Sequence, residues 1–472
     1  LEVYAIPPLN LEKRLKYLMN YPHGCLEQVV SAAFPQLYLD EFVNIPPAQK
    51  NQTNNNINTA INKIRKYQMS NGGFSYWPGG NNTNHWATNY AGHFMLEAKE
   101  KGFDVPDVVL TNWVKYQREK ALKWTDDGKI SQFVQAYRLY TLSLAGKSRL
   151  SAMNRLRQTK NLSEKAAWRL AAAYEISGKH RIAVELIENL SLDVNPYFYG
   201  ATFGSSVRDE AMILETLALM KREQDAFKVL RSVSNELGKD SWLSTQTTAY
   251  SLIAAATYLD KFDVSNEIQA EYQINNGAKT SINSENPVVQ MPLTGITASD
   301  NVLSFDNQTD GMLFLRLVQE GVPETGSETA SQNKISMKVR YYYPDGSNLN
   351  PSEVEQGTDF VCEVKISHNS FESVFKELAL TQIFPSGWEI INSRLFSTEL
   401  GDVSASEYQD IRDNKIYTYF DLYKGKTKTY RVMLNASYAG RFYMPGFNTE
   451  AMYDNSVHAR NKGQWVEVVK PK

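Results

Sequence analysis

The feature of this sequence that most constrains its fold is a change of hydrophobic periodicity near residue 265. Before that point, apolar residues recur at the three- and four-residue spacing of amphipathic helices. After it, short apolar runs alternate with Asn, Asp and Gly, as is typical of strands. A single core rarely serves 472 residues, so we expect roughly two to four domains. The sequence therefore predicts a helical part followed by a β part.

The helical part is predicted to consist of repeated helical hairpins joined by short turns that contain Gly or Asp. The predicted helices span residues 11–19, 26–40, 58–68, 85–101, 130–145, 164–177, 180–190, 209–221, 223–237 and 245–259. Two architectures suit such hairpins: an open solenoid, to whose repeats residues 163–190 are similar, and a closed α/α toroid. The irregular repeat length and a Gly- and Asn-rich loop at residues 70–84 favour the toroid.

The β part is predicted to be antiparallel. The predicted strands span residues 270–274, 302–305, 312–319, 334–343, 359–367, 378–384, 415–422, 428–435 and 440–444. A stretch rich in Gly, Ser, Thr and Glu at residues 321–333 separates two groups of strands. The second group has the spacing of a β-sandwich of about 100–140 residues. Cys362 falls within one of its strands, where a lone cysteine is usually a small buried hydrophobe.

Composition excludes several classes of function. The formal charge is −2 and the basic residues are scattered, so we expect no nucleic-acid partner. No apolar run reaches the roughly 20 residues of a transmembrane helix. The chain starts at Leu1 without a signal-peptide pattern, so we expect it to be part of a longer polypeptide. Two cysteines and six histidines show neither a disulfide framework nor metal-ligand spacing, and we expect no metal and no cofactor.

The segment that carries chemistry spans residues 21–28 and reads YPHGCLEQ. Pro22 and Gly24, with His23 between them, predict a tight turn. A helix is predicted to follow at once, so Cys25 and Gln28 lie three residues apart on one face of its first turn. Taken alone, Cys-x-x-Gln is usually a simple helix start.

The alternative is a reactive pair. The Cys25 sulfur would attack the Gln28 carboxamide carbon, release ammonia and close an internal thioester. A thiolate is a good leaving group because a thiol has a pKa of about 8.5, and a helix N-terminus stabilises its charge. An amine or hydroxyl that reaches this carbonyl becomes joined to the protein, and the cysteine is released. This is single-use acyl transfer rather than turnover.

Residues 21–28 resemble the thioester motif of bacterial α2-macroglobulins, whose animal relatives usually carry Gly-Cys-Gly-Glu-Gln; here Leu26 stands at the second glycine. Other segments resemble the same family in chain order: residues 7–14 (PPLNLEKR), 72–80 (GGFSYWPGG), 242–250 (WLSTQTTAY), 438–443 (YAGRFY) and 450–454 (EAMYD). The resemblance spans essentially the whole chain. It implies a thioester domain followed by a C-terminal macroglobulin domain.

The resemblance also implies domain boundaries. Residues 1–10 would be the terminal strand of a CUB-type β domain, and residues 11–262 an α/α toroid thioester domain. Residues 263–333 would be the returning half of the CUB-type domain, and residues 334–472 a C-terminal macroglobulin-like β-sandwich. The first half of the CUB-type domain would be missing, which leaves exposed edges or an incomplete sheet.

The family's mechanism implies a broad-spectrum endopeptidase inhibitor rather than an enzyme. A protease cuts a bait region, the domains rearrange, and the exposed thioester acylates lysines of the protease. The implied partners are proteases as covalent targets and the neighbouring macroglobulin domains of the same full-length chain. The implied location is the periplasm or cell envelope, with a lipid anchor on a missing N-terminus as one means of attachment.

Water would hydrolyse an exposed thioester, so the family shields it. Tyr21, Met452 and Tyr453 match the shielding positions of bacterial relatives, and ordinary core packing is the alternative for Met452 and Tyr453. In some animal members a toroid histidine steers reactivity towards hydroxyls. His93 lies on an apolar helix and is predicted to be a core histidine, and His85 has no assigned role. Without a steering histidine, we expect direct reaction with amines.

Two other functions compete with this one. The chain could keep the fold as a non-covalent scaffold or binding module without a functional thioester. It could instead be a toroid enzyme, but the sequence shows neither an Asp-rich metal motif nor a convincing pair of carboxylates. The presence of both Cys25 and Gln28 favours the covalent inhibitor.

Overall fold

The computed structural model describes residues 1–20, 24–197, 202–239, 241–262, 267–297, 300–319, 321, 324–391 and 403–471. Its contacts divide the chain into two compact units, Leu1–Gln319 and Glu320–Lys472. The first unit holds the helices and a small β body, and the second is built from strands. The prediction of a helical part followed by antiparallel β structure is confirmed.

The α-helices of the first unit begin and end close to the predicted positions in most cases. They are α1 (Leu11–Asn20), α2 (Leu26–Ala33), α3 (Leu39–Phe42), α4 (Pro47–Ile64), α5 (His85–Glu100), α6 (Asp107–Lys123), α7 (Lys129–Leu144), α8 (Leu150–Arg157), α9 (Glu164–Ile176), α10 (His180–Ile187), α11 (Ser206–Leu219), α12 (Glu223–Gly238) and α13 (Thr245–Lys261). Two 3₁₀ helices, Phe34–Tyr38 and Arg65–Tyr67, follow α2 and α4.

Helices α6 and α8 were not predicted, and two other helices were predicted with the wrong bounds. The predicted helix over residues 26–40 is interrupted after Ala33, because Pro35 cannot donate the backbone hydrogen bond that a continuing α-helix needs. Helix α4 starts at Pro47 rather than at residue 58, because its first turns are too polar to show a period. Helix α6 was not predicted, since exposed apolar residues such as Val108 and Leu122 obscure the period of its buried face.

The inner helices of the first unit close into a ring. Each of α2, α5, α7, α9, α11 and α13 contacts the next, and α13 contacts α2. The outer helices α1, α4, α6, α8, α10 and α12 pack against this ring. Because the ring closes, the predicted α/α toroid is confirmed over the solenoid. Hydrogen bonds join the first turn of α13 to the first turns of α2 and α5, through Thr245 to Glu27 and Trp86 to Gln246, so these three N-termini lie close together.

The chain segments before and after the helices together form a small β body. Strand β1 (Glu2–Tyr4) pairs antiparallel with β4 (Val288–Gln290) and β6 (Phe314–Arg316). Strand β2 (Ile268–Ile274) pairs with β3 (Thr280–Ser284) and β5 (Leu303–Asn307). Val3 and Ile268 meet in a shared core, so the chain leaves this body for the ring and then returns to it. The division into four segments that the resemblance implies stays a prediction.

The second unit is a β-sandwich. Its strands are β7 (Ser331–Asn333), β8 (Ile335–Tyr342), β9 (Glu353–Glu355), β10 (Asp359–His368), β11 (Val374–Ile383), β12 (Trp388–Ile391), β13 (Tyr408–Arg412), β14 (Lys415–Tyr423), β15 (Thr427–Ala436), β16 (Gly440–Met444), β17 (Asn448–Ala451), β18 (Asp454–Arg460) and β19 (Gln464–Val469). Its two larger sheets have the orders β12-β15-β10-β8 and β13-β14-β11-β17-β18-β7, and a third sheet has the order β16-β19-β9. Phe360, Leu380 and Phe420 are among the residues that fill the core between the two larger sheets.

In the described part of the chain, no helix combines the length and apolarity needed to cross a membrane.

Candidate functional site

The N-terminus of α2 holds Cys25 and Gln28 in a reciprocal hydrogen-bond arrangement. Cys25 is the N-cap residue, and its sulfur accepts the backbone N–H of Gln28. In return, the backbone N–H of Cys25 donates to Gln28 Oε1 at 3.3 Å. This is a capping box in which a thiol and a carboxamide replace the usual hydroxyl and carboxylate. Both side chains are buried, so the pair is held together out of solvent.

A loop at residues 67–77, called here the clamp loop, holds the backbone on both sides of Cys25. The Tyr67 hydroxyl donates a short hydrogen bond to the carbonyl of Gly24. The backbone N–H of Leu26 donates to the carbonyl of Tyr76 at 3.0 Å. The residues before and after Cys25 are therefore both anchored to one loop.

Close packing and internal hydrogen bonds fix the shape of the clamp loop. Gly72 has a φ of +89°, and a Cβ there would lie 2.3 Å from the carbonyl oxygen of Asn112. The carbonyl of Tyr67 accepts the backbone N–H of Ser75 at 2.9 Å. The Ser75 hydroxyl lies 3.2 Å from that same carbonyl and donates to the Trp77 carbonyl at 2.6 Å. The loop thus presents its two anchoring groups from a rigid frame.

Aromatic rings continue from the clamp loop to a neighbouring turn. Tyr76 stacks on Phe203, with ring centroids 5.1 Å apart and planes 15° from parallel. Phe203 has a φ of +59°, an uncommon conformation for a bulky residue, and its carbonyl accepts a hydrogen bond from the Ser244 hydroxyl. The Arg208 guanidinium donates to both the carbonyl and the hydroxyl of Thr202. These contacts tie the clamp loop to the N-terminal ends of α11 and α13.

Glu27, between the two reactive candidates, connects α2 to its neighbours in the ring. Its side chain is fully buried and accepts hydrogen bonds from the hydroxyls of Ser31 at 2.5 Å and Thr245 at 2.9 Å. Ser31 is also 3.2 Å from the Tyr90 hydroxyl. Burial, together with the charge of Glu27, raises the pKa of Tyr90 well above its usual value. This phenol therefore stays protonated and can serve the network only as a neutral group.

A second buried network lies deeper in the ring. Arg169 pairs with Glu215 at 2.5 Å, and Tyr140 donates to the same carboxylate at 2.8 Å. Burial alone would raise the pKa of Glu215, but the Arg169 charge and the nearby hydroxyls hold it below its usual value. His93 lies 3.1 Å from the Tyr137 hydroxyl and 3.8 Å from Glu215. These partners confirm His93 as a satisfied core histidine.

Other predicted site residues lie elsewhere or outside the described part. Tyr21, Pro22 and His23 are outside the described residues, and Gly24 is described with an exposed backbone. Met452 and Tyr453 form the turn between β17 and β18 in the second unit, and both side chains are buried. Their shielding role and that of Tyr21 stay predictions.

The second cysteine, Cys362, lies in the middle of β10 and is fully buried in the sandwich core. Burial raises the pKa of its thiol far above the usual value. The prediction of a structural cysteine is confirmed. Among the described residues, no cluster of His, Cys, Asp and Glu could hold a metal ion.

Four residues that build the site were not predicted from the sequence: Glu27, Tyr67, Tyr76 and Thr245. Tyr76 and Thr245 lie in segments already singled out for their resemblance, at residues 72–80 and 242–250, but nothing local showed what they bind. Tyr67 carries no sequence signal, because its contact with Gly24 bridges 43 residues.

Comparisons with known proteins match both units. The family model "A-macroglobulin TED domain" matches residues 6–130, and "Bacterial Alpha-2-macroglobulin MG10 domain" matches residues 335–455. The alpha-2-macroglobulin of Escherichia coli strain K12 is 24% identical over 98% of this chain, and that of Xylella fastidiosa strain Temecula1 is 24% identical over 96%. The chain spans 29% of the length of each of these two relatives.

Solved structures show the same fold. Native alpha-2-macroglobulin from Escherichia coli, from domain MG7 to the C-terminus, matches with a TM-score of 0.80 and 20% identity, over 100% of this chain and 77% of that one. Salmonella alpha-2-macroglobulin reacted with methylamine matches with a TM-score of 0.79 and 21% identity, over 100% of this chain and 31% of that one.

Proposed function

Because this chain is a bacterial alpha-2-macroglobulin-like protein, with TED and MG10 segments and the fold of that family's C-terminal part, we propose that it carries an internal thioester. The bond joins Cys25 to Gln28 and acylates amines of a target protein. In the full-length protein, this chain supplies the covalent step of a broad-spectrum protease inhibitor.

The observation that carries this proposal is the reciprocal capping of Cys25 and Gln28. The sulfur and the carboxamide are held on the same turn by hydrogen bonds that each makes to the backbone of the other residue. When two reacting groups are already oriented, the reaction avoids a large part of the entropic cost that an encounter in solution would add to the barrier. A simple helix start does not require a buried thiol beside a buried carboxamide.

The bond changes balance without a cofactor. In ring closure, the Cys25 sulfur bonds to Gln28 Cδ, its proton is transferred to the departing nitrogen, and ammonia leaves. In the trapping step, a target amine bonds to the same carbon, the carbon–sulfur bond breaks, and the amine proton passes to the Cys25 thiolate. The N-terminus of α2 stabilises that thiolate, because the Gln28 N–H donates to the sulfur and the helix dipole places positive charge at this end.

The remaining parts of the mechanism follow the same proposal. Tyr21, Met452 and Tyr453 shield the thioester from water until a protease cuts a bait region elsewhere in the full-length chain. Proteases are then the covalent targets, and neighbouring macroglobulin domains are the partners that rearrange. A protein of this kind acts in the periplasm or cell envelope.

A methylamine experiment tests the covalent step. The chain is incubated with methylamine or with glycerol, and the products are analysed by intact mass and peptide mapping. We expect a methylamine adduct at Gln28, a newly titratable Cys25 thiol, and little coupling to glycerol. Methylamine is chosen because Salmonella alpha-2-macroglobulin has been crystallised after reaction with it.

The controls separate covalent from non-covalent function. Cys25→Ser should form no adduct. If the wild-type chain also forms none and its Cys25 is a free thiol when freshly purified, the chain is a scaffold of the same fold without a working thioester. Coupling to glycerol at a rate equal to that of methylamine would refute the preference for amines.

A further inference from the structure

We propose that the Tyr67 hydroxyl is a positioning group for acyl transfer at Gln28. It fixes the Gly24–Cys25 peptide so that the Cys25 N–H stabilises the oxyanion that forms on Gln28 Oε1. This inference rests on the proposed thioester and adds to it the groups that govern its reactivity.

The geometry rests on one peptide unit that is held at both of its ends. The Gly24 carbonyl accepts the Tyr67 hydroxyl, and the Cys25 N–H donates to Gln28 Oε1. A peptide group is planar, so fixing the direction of the carbonyl fixes the direction of the N–H. The next peptide is held as well, because the Leu26 N–H donates to the Tyr76 carbonyl. The Cys25 N–H therefore cannot rotate away from the carboxamide without breaking contacts with the clamp loop.

The reaction places negative charge where this N–H points. When sulfur adds to Gln28 Cδ, the carbonyl electron pair moves onto Oε1, and the same oxyanion forms when an amine adds to the thioester. A donor already aimed at that oxygen lowers the barrier without reorganisation. The present N···O distance of 3.3 Å is long for a hydrogen bond, and such bonds tighten as charge develops.

The Tyr67 hydroxyl also strengthens the donor. Hydrogen bonds in a chain polarise one another, so donation to the Gly24 carbonyl makes the N–H on the other side of that peptide a better donor. Tyr67 is 5% exposed, which keeps water from replacing its hydroxyl. The Tyr67 carbonyl accepts the Ser75 N–H within the clamp loop, and the Tyr76 carbonyl accepts the Leu26 N–H of α2. Removal of the Tyr67 hydroxyl therefore keeps both the shape of the clamp loop and its attachment to α2.

The experiment compares three side chains at position 67 in the same chain. Tyr67→Phe keeps the ring and removes the donor, and site-specific 3-fluorotyrosine makes the hydroxyl a stronger donor. The second-order rate of methylamine addition at Gln28 is measured by intact mass, together with the fraction of freshly made chain that has lost ammonia. Tyr174→Phe is the matched control, because that hydroxyl is also buried but donates to Asn154 at 2.7 Å, between α8 and α9.

Loss of a direct oxyanion donor costs about 10²–10³ in rate, and loss of a group that only positions the donor should cost about tenfold. We expect Tyr67→Phe to react about tenfold more slowly, 3-fluorotyrosine to react at least as fast as tyrosine, and Tyr174→Phe to match wild type. All four proteins should melt within a few degrees of one another.

Two results would overturn the inference while leaving the thioester intact. One is a rate for Tyr67→Phe within twofold of a reactive wild type. The other is an equal slowing by phenylalanine and 3-fluorotyrosine, since a purely structural role does not depend on donor strength. Absence of any adduct in wild type would instead refute the proposed function itself.

Discussion

The two cysteines of this chain are both fully buried, and each has a glutamine beside it. Cys25 caps a helix, and the carbonyl oxygen of Gln28 faces its backbone N–H. Cys362 lies in a strand, and the Gln382 amide nitrogen is 4.0 Å from its sulfur. The Gln382 carbonyl oxygen has no hydrogen-bond partner among the described residues.

This comparison shows that burial and a nearby glutamine do not define a thioester site. At Cys362, burial in the sandwich raises the pKa of the thiol. At Cys25, an N–H is aimed at the oxygen that would become charged in the proposed reaction. The proposed chemical difference therefore comes from the local backbone rather than from residue type.

The largest expected effect is on methylamine incorporation, which should depend on Cys25 and not on Cys362. Cys25→Ser should abolish methylamine incorporation, because a hydroxyl does not form a comparably activated acyl intermediate. Cys362→Ala should react as wild type does, but lose about 1–2 kcal/mol of stability through the small cavity that it leaves in the sandwich. Intact mass after methylamine treatment and urea unfolding measure the two effects. Incorporation that survives Cys25→Ser would place the reactive group elsewhere.

Substitution of Gln28 should abolish methylamine incorporation, whereas substitution of Gln382 should not. Gln28→Glu keeps the capping box, since glutamate is equally suited to that position, but its carboxylate resists attack by sulfur. We expect no adduct and a melting temperature within a few degrees of wild type. Gln382→Leu should leave the adduct unchanged and be neutral or slightly stabilising, because it removes a buried oxygen without a described partner. Mass spectrometry and thermal melting of the two variants, side by side, provide the check.

Buried charges also distinguish the two units. Glu215→Gln leaves the fully buried Arg169 without its counter-charge and should cost about 3 kcal/mol, near the lower end for a broken buried pair. Glu363→Gln breaks a pair with the partly exposed Arg431 and should cost about 1 kcal/mol or less. Urea unfolding followed by circular dichroism reports the helical and strand signals. Equal costs would show that the ion pair inside the ring is no better shielded from water than the partly exposed pair on the sandwich.

At acid pH, the free energies of unfolding of wild type and Glu215→Gln should become more similar. The pKa of Glu215 in the folded chain is held below its usual 4.5. The unfolded state therefore binds the proton first, and the stability that the carboxylate contributes is present above pH 4.5 and lost as pH falls below it. Unfolding measured at pH 7 and at successively lower pH should show the two proteins converging. A constant gap across that range would contradict the assigned ion pair.

The smallest expected effect concerns two threonine hydroxyls. Thr245→Val removes a donor to the buried carboxylate of Glu27 and should cost about 1–2 kcal/mol. Thr427→Val removes an exposed hydroxyl contact with Ser367 and should change stability by less than about 0.5 kcal/mol. Chemical denaturation of the two variants measures the contrast. If Thr245→Val changed the stability as little as Thr427→Val, the hydrogen bond from Thr245 to Glu27 would not contribute to stability.

The sequence predicted the elements whose signal is local. Most ring helices were visible from their apolar period, and the central strands β10, β14 and β15 from their alternation. Helix α6 was not predicted, because exposed apolar residues such as Val108 and Leu122 obscure the period of its buried face. Strand β18 was not predicted either, because its sequence is mostly polar.

The site was only half predictable for a related reason. Cys25 and Gln28 are neighbours in sequence, and helical spacing alone brings them together. The groups that would control their reactivity come from far away, since Thr245 lies 218 residues from Glu27 and Tyr67 lies 43 residues from Gly24. Such contacts exist only after the ring has closed.

The most direct test of the account is the covalent state of the freshly purified chain. Its intact mass should be lower than the sequence mass by one ammonia, and titration in denaturant before any hydrolysis should find one thiol, that of Cys362, of the two cysteines present. A mass equal to that of the sequence, together with two titratable thiols, would contradict the thioester between Cys25 and Gln28.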